Sequence, residues 1–91
     1  PVNVSANIVQ RDVGALSWGF DPQTITVHVG DKVTWTNTGS LGHTVTADDG
    51  SFDSGVLNTG DSWGFTFNTA GTFAFHCTPH PWMKGTITVQ K

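Results

Sequence analysis

Apolar side chains recur at every second position along most of this chain, in short bursts cut off by Gly, Pro, Asp or Asn. TITVHV (24–29) sets Ile25, Val27 and Val29 on one side and sends His28 to the other. KVTWTN (32–37) follows a Gly30-Asp31 turn and aligns Val33 with Trp35. SWGFTF (62–67) aligns Trp63, Phe65 and Phe67, and TFAFHC (72–77) aligns Phe73, Phe75 and Cys77. GTITVQ (85–90) closes the chain with Ile87 and Val89. Towards the start, VNVSANIV (2–9) alternates Val2, Val4, Ala6 and Ile8, and ALSWGF (15–20) aligns Leu16, Trp18 and Phe20. HTVTA (43–47) is a shorter burst. A strand turns successive side chains to opposite faces, so period two means half-buried strands. No window of helical length carries an apolar stripe of period 3.6. The pattern predicts an all-β fold of about eight short strands, arranged as two antiparallel sheets packed face to face. DDGSFDSG (48–55) reads as an irregular loop anchored by Phe52. The aromatics at period two are core side chains first, so Phe65, Phe67, Phe73 and Phe75 are assigned to packing rather than to a ligand.

Size and charge narrow the classes. The 91 residues are enough for one domain, spanning 1–91. With 36% hydrophobic and 12% charged residues, the chain can bury a core and does not resemble a disordered segment. The formal charge is −3, all the acids are Asp, and Arg11, Lys32, Lys84 and Lys91 are the only fixed cations. A nucleic-acid partner is therefore not expected. No apolar run reaches membrane-spanning length. The chain opens at Pro1 without a signal peptide, so a processed or trimmed product is expected. A single cysteine excludes an internal disulfide and leaves the redox compartment unread.

That cysteine sits in CTPHPWM (77–83), which also holds the only methionine, with a histidine midway. Cys77, His80 and Met83 are spaced by three. Strand parity turns Cys77 inward at the end of its strand. Pro79 and Pro81 cannot continue a ladder, so His80 and Met83 are expected on a compact loop curling back over the sulfur. A fourth donor must come from elsewhere, and His43, after Gly42 at the start of another strand, is the natural candidate. A lone cysteine is most often a small buried hydrophobe. Two imidazoles, a thiolate and a thioether together are better explained as a metal site. Soft thiolate and thioether suit Cu(I), imidazole suits both copper states, and two His and one Cys with a weak axial Met form the blue-copper set. Zinc fits less well, because thioether is not among its usual ligands. A Cys–His nucleophile needs an orienting group, an oxyanion hole and a cleft, for which a small sandwich has little room. No catalytic residue is assigned and an enzyme is not expected.

The C-x2-H-x2-M loop after FAFHC, with the upstream Gly42-His43, resembles the cupredoxin family. The likeness runs from TITVHVGDKVTWTN to the end of the chain. The short loop is similar to that of amicyanins, and HTVTADDGSFDSG with GTFAFHC is similar to bacterial plastocyanin-like proteins. The resemblance implies a Greek-key β-sandwich, one type 1 copper ion and one-electron transfer. It implies His43, Cys77 and His80 as the strong ligands and Met83 as the axial one. It also implies a Thr44 backbone N–H donating to Cys77, protonation of His80 in the reduced state, and work outside the cytoplasm, in the periplasm or at the outer surface. Redox protein partners are expected near His80, Pro81 and Trp82, with Leu41 and Leu16 nearby, and the chain is expected to be a monomer. Two positions depart from the family pattern. Thr44 stands where relatives carry Asn, and its hydroxyl is expected to tie the two ligand segments together through Thr78. Gly42 stands where relatives carry Pro and gives the backbone carbonyl room to approach the metal.

Other readings stand beside this one. A copper-delivery or storage protein, a domain of a larger copper oxidase or membrane-anchored protein, and a metal-free sandwich each fit part of the pattern. Trp82 is either packed beneath the loop or turned to solvent for docking. His76 and His28 read as surface histidines, with a secondary electron path at His76 as the alternative. Asp48, Asp49 and Asp53 read as a solvated loop or as a weak steering charge for a basic partner.

Overall fold

The computed structural model describes residues 5–11, 19–78 and 80–91, and at residues 5, 11 and 80–82 it describes the backbone alone. Eight strands follow in chain order: β1 (Ser5–Arg11), β2 (Gly19–Asp21), β3 (Thr24–His28), β4 (Lys32–Asn37), β5 (Thr46–Ala47), β6 (Ser62–Thr66), β7 (Gly71–Cys77) and β8 (His80–Gln90). No helix occurs among the described residues. The strands form two four-stranded sheets, β2-β1-β4-β6 and β3-β8-β7-β5. The all-β sandwich is therefore as expected. Val2, Val4, Leu16 and Trp18, the remaining parts of the first two predicted strands, lie outside the described residues.

The sheets are not purely antiparallel. β1 runs parallel to β4, with Ile8 opposite Trp35, and β3 runs parallel to β8, with Val27 opposite Val89. Parallel neighbours need a long crossover rather than a hairpin. Here the crossovers are strands of the opposite sheet: β3 lies between β1 and β4 in sequence, and β4 and β6 lie between β3 and β8. Alternation sees faces, not directions, so the sequence carries no sign of these pairings.

Both sheets contribute to one core. Ile8, Phe20, Val33, Trp35 and Phe67 from or beside one sheet meet Val27, Phe75, Cys77, Met83, Ile87 and Val89 of the other. Each such Val, Ile or Phe contributes about 1.5–3 kcal/mol on full burial. Phe75 spans the gap edge-on, 4.7 Å from Phe20 and 5.5 Å from Trp35, measured between ring centroids. Its register partner is Gly85. A side chain there would collide with the Phe75 ring and come within 2.7 Å of the Gln23 carbonyl oxygen. Phe52 anchors its loop as expected, with its ring 4.9 Å from Phe65 and 5.7 Å from Phe67. Trp63, Phe65 and Phe73 are half-buried against the core. Val29 departs from its parity: it is 38% exposed, because β3 ends at His28 and the chain enters the Gly30 turn.

Candidate metal centre

Cys77 ends β7 on its inward face and is fully buried. The predicted loop after it is a hairpin. Cys77 is paired with His80, whereas His76 is paired with Lys84. The register jump leaves residues 81–83 as extra chain on β8. Pro81 does not prevent this, because it lies in that extra chain. Met83 keeps the parity of Gly85, Ile87 and Val89 and is buried with them. Its Cγ lies about 3.4 Å from where a side chain on Gly19 would begin. Pro79 and the side chains of His80, Pro81 and Trp82 lie outside the described residues.

His43 reaches the same end from the segment between β4 and β5. It is not in a strand: β5 begins only at Thr46. The predicted strand over 43–47 is shortened because the backbone groups ahead of it have other partners. His43 and Leu57 exchange backbone hydrogen bonds, His43 N–H to Leu57 O at 3.0 Å and Leu57 N–H to His43 O at 2.7 Å. Val45 N–H donates to Ser54 Oγ at 2.8 Å. Buried Asn37 at the end of β4 holds the approach. Its Nδ2 donates to the Leu41 and Leu57 carbonyls, each at 2.8 Å, and its Oδ1 accepts from Gly39 N–H at 2.8 Å.

These constraints bring His43 Nδ1 to 3.6 Å from Cys77 Sγ, with both residues fully buried. Ligands at about 2.0 and 2.3 Å around a tetrahedral ion would stand about 3.6 Å apart. The pair therefore fits a shared metal, and its imidazole and thiol are donors that copper takes. Among the described residues no third His, Cys, Asp or Glu side chain completes a metal-binding group. The thioether of Met83 belongs to the same core cluster as Cys77.

Thr44 joins the two segments. Its backbone N–H donates to Cys77 Sγ at 3.4 Å, and its Oγ1 accepts from Thr78 N–H at 2.8 Å. Both contacts agree with expectation, so a threonine here supplies a tie between the segments. The hydroxyl also meets Thr46 Oγ1 at 3.0 Å, which in turn meets Thr78 Oγ1 at 3.1 Å.

Three features were missed in the sequence. Asn37 reads there only as the polar end of a strand, and Leu57 is assigned no role. Gln10 is fully buried and donates from Nε2 to the Thr44 carbonyl at 3.1 Å. It continues the inward parity of Ala6 and Ile8, so extending the first strand beyond residue 9 would have exposed it as a polar residue in an apolar position. His28 is exposed, as expected. His76 faces away from the core, as expected, and its Nδ1 meets Asp48 Oδ1 at 2.6 Å. In the same loop, the Ser51 hydroxyl and then its backbone amide hold the Asp49 carboxyl below the usual range.

This fold recurs in known proteins. Residues 7–90 match the family described as copper binding proteins of the plastocyanin/azurin family, and the chain belongs to that family. A plastocyanin of Scenedesmus fuscus is 39% identical over 92 residues, covering 87% of this chain and 92% of the relative. An amicyanin of Paracoccus denitrificans is 35% identical over 81 residues, covering 78% of this chain and 58% of that longer sequence. The solved structure of a purple cupredoxin from Nitrosopumilus maritimus superposes with a TM-score of 0.83 at 33% identity, covering 93% of this chain and 99% of that one. The cofactor is one copper ion, and the function is type 1 copper electron transfer.

Proposed function

We propose that His43, Cys77 and His80 would hold the copper as strong ligands with Met83 as a weak fourth one, and that the chain is a carrier of single electrons between redox proteins rather than an enzyme. The approach of His43 Nδ1 to Cys77 Sγ at a buried sheet end carries this reading. The pairing of His80 opposite Cys77 and the inward parity of Met83 support the other two assignments. Copper supplies a one-electron couple between Cu(I) and Cu(II). The protein must present donors acceptable to both states without rearrangement. Its means are the His43–Leu57 bridge, the Asn37 bonds and the Thr44 ties, which leave His43 and Cys77 little freedom to separate. The Thr44 N–H withdraws electron density from the sulfur, a lever on the potential.

Electron exchange is assigned to the surface at His80, Pro81 and Trp82. Leu41, 47% exposed, and Val56, 64% exposed, support an apolar rim at this end, since Gly42 sits against Val56. Redox proteins dock there transiently, the chain acts as a single-domain monomer over 1–91, and it works outside the cytoplasm, with the periplasm the favoured place. Among the described residues no helix is long and apolar enough to cross a membrane.

The test is addition of Cu(II) followed by visible and EPR spectroscopy. An intense blue thiolate-to-copper band with narrow hyperfine splitting is expected. It should vanish in Cys77→Ser and be lost or strongly altered in His43→Ala and His80→Ala. A wild-type protein without the band overturns the ligand assignment.

A further inference from the structure

We propose that Gln10 is a positioning residue for the copper site: it clasps both ends of the segment that delivers His43 and thereby sets the hydrogen bond to the Cys77 sulfur. This rests on the assignment of His43 and Cys77 as copper ligands.

Three contacts carry the proposal. The Gln10 backbone carbonyl accepts from Thr38 N–H and from Thr38 Oγ1, each at 3.0 Å. The Gln10 side chain donates from Nε2 to the Thr44 carbonyl at 3.1 Å. Thr38 follows the last residue of β4, and Thr44 follows His43. The whole approach to His43 is thus strung between the main chain and the side chain of one residue on β1. Direction is settled by chemistry, since a carbonyl can only accept and the amide must turn its NH2 towards it.

Position 10 should otherwise be apolar. It shares the inward face with Ala6 and Ile8, and it is fully buried. An amide there costs desolvation free energy that a leucine would avoid. Among the described residues its Oε1 accepts no hydrogen bond, and they engage the donor end alone. A side chain chosen for core packing would not look like this. One chosen to hold Thr44 would.

Thr44 is thereby restrained from three directions. Its carbonyl is held by Gln10, its hydroxyl by Thr78 N–H, and its own N–H points to the sulfur. Gln10 is the restraint that comes from the sheet opposite β7. Without it, Thr44 can settle towards β7 or away, and its N–H no longer bears on the sulfur at a fixed angle. A sulfur that keeps more electron density binds Cu(II) more strongly, so the reduction potential falls.

The test uses copper-loaded wild type, Gln10→Leu and Gln10→Met, two apolar replacements of different shape. Both variants are expected to keep a blue band of altered energy and to show a lower potential. In the reduced, diamagnetic proteins the Thr44 amide should exchange about fivefold faster, the factor a lost hydrogen bond implies, while amides of β7 and β8 remain protected. Wild-type potential and wild-type Thr44 exchange in either folded variant overturn the proposal. So does faster exchange spread evenly over the domain with an unchanged potential, which is the signature of packing alone. Absence of the blue band in the wild type instead refutes the ligand assignment.

Discussion

The backbone amide of Thr44 meets the sulfur of Cys77 at 3.4 Å across 33 residues of chain. The Thr44 hydroxyl holds the next segment by accepting from Thr78 N–H at 2.8 Å. Removing the hydroxyl leaves that amide without its side-chain acceptor while sparing the N–H to sulfur. Thr44→Ala is expected to lose about 1–2 kcal/mol of stability, read as a lower urea midpoint with an unchanged slope. Thr44→Asn restores an acceptor of similar reach and should recover more than half of the loss.

With His43 and Cys77 as proposed ligands, copper should bind the folded arrangement alone and stabilise the domain by mass action. At a hundred times its dissociation constant the gain is about 2.7 kcal/mol. For a domain of this size that raises the melting temperature by about 10–20 °C. Calorimetry of the protein with copper and after chelation checks this. Cys77→Ser should melt at one temperature whether or not copper is present.

Gly85 lies beneath the Phe75 ring at a register pair of β7 and β8. Neither the ring, wedged between Phe20 and Trp35, nor the Gln23 backbone can move aside freely. Gly85→Ala should destabilise by about 1–3 kcal/mol through overpacking. A melting temperature equal to the wild type would show that the ring has an alternative seat.

Proline at 79 has no N–H to offer the sulfur two residues before it in sequence. Pro79→Ala introduces a second donor beside the one from Thr44. The reduction potential is expected to rise, with Cu(I) favoured. Cyclic voltammetry that found no upward shift would count against a donor role for this amide.

Trp82 belongs to the surface assigned to partner docking. Trp82→Glu should slow electron transfer with a redox partner by tenfold or more, about 1.4 kcal/mol in the transition complex, and leave the blue band unchanged. Stopped-flow kinetics beside the visible spectrum separates docking from ligand geometry. An unchanged rate removes Trp82 from the interface, and a changed spectrum assigns it to packing beneath the hairpin.

Much of this was legible in one dimension. Alternation in TITVHV, KVTWTN, SWGFTF, TFAFHC and GTITVQ is a local consequence of strand geometry, and those segments fall on the strands β3, β4, β6, β7 and β8, although β8 begins five residues before GTITVQ, at His80. The inward turn of Cys77 follows from the same parity. The donor types in CTPHPWM are chemistry, and they name copper without any fold. Reading stopped where neighbours in space are distant in sequence. The parallel pairs β1·β4 and β3·β8 left no local trace. Where a loop was expected after Cys77, β8 already begins at His80, which pairs with Cys77 across a register shift.

The sequence by itself determined the strand class, the inward face of β4 and β7 and of the 85–90 part of β8, and the set of atoms available to a metal. Only the tertiary structure decided that His43 Nδ1 and Cys77 Sγ meet at 3.6 Å. That separation depends on Leu57 bridging His43, Asn37 gripping Leu41 and Leu57, and Gln10 holding Thr44. Apart from the Asn37–Leu41 bond, each joins residues far apart in the chain. Backbone periodicity acts over neighbours and can be read from them. Contacts of this kind exist only after the sheets have chosen their partners.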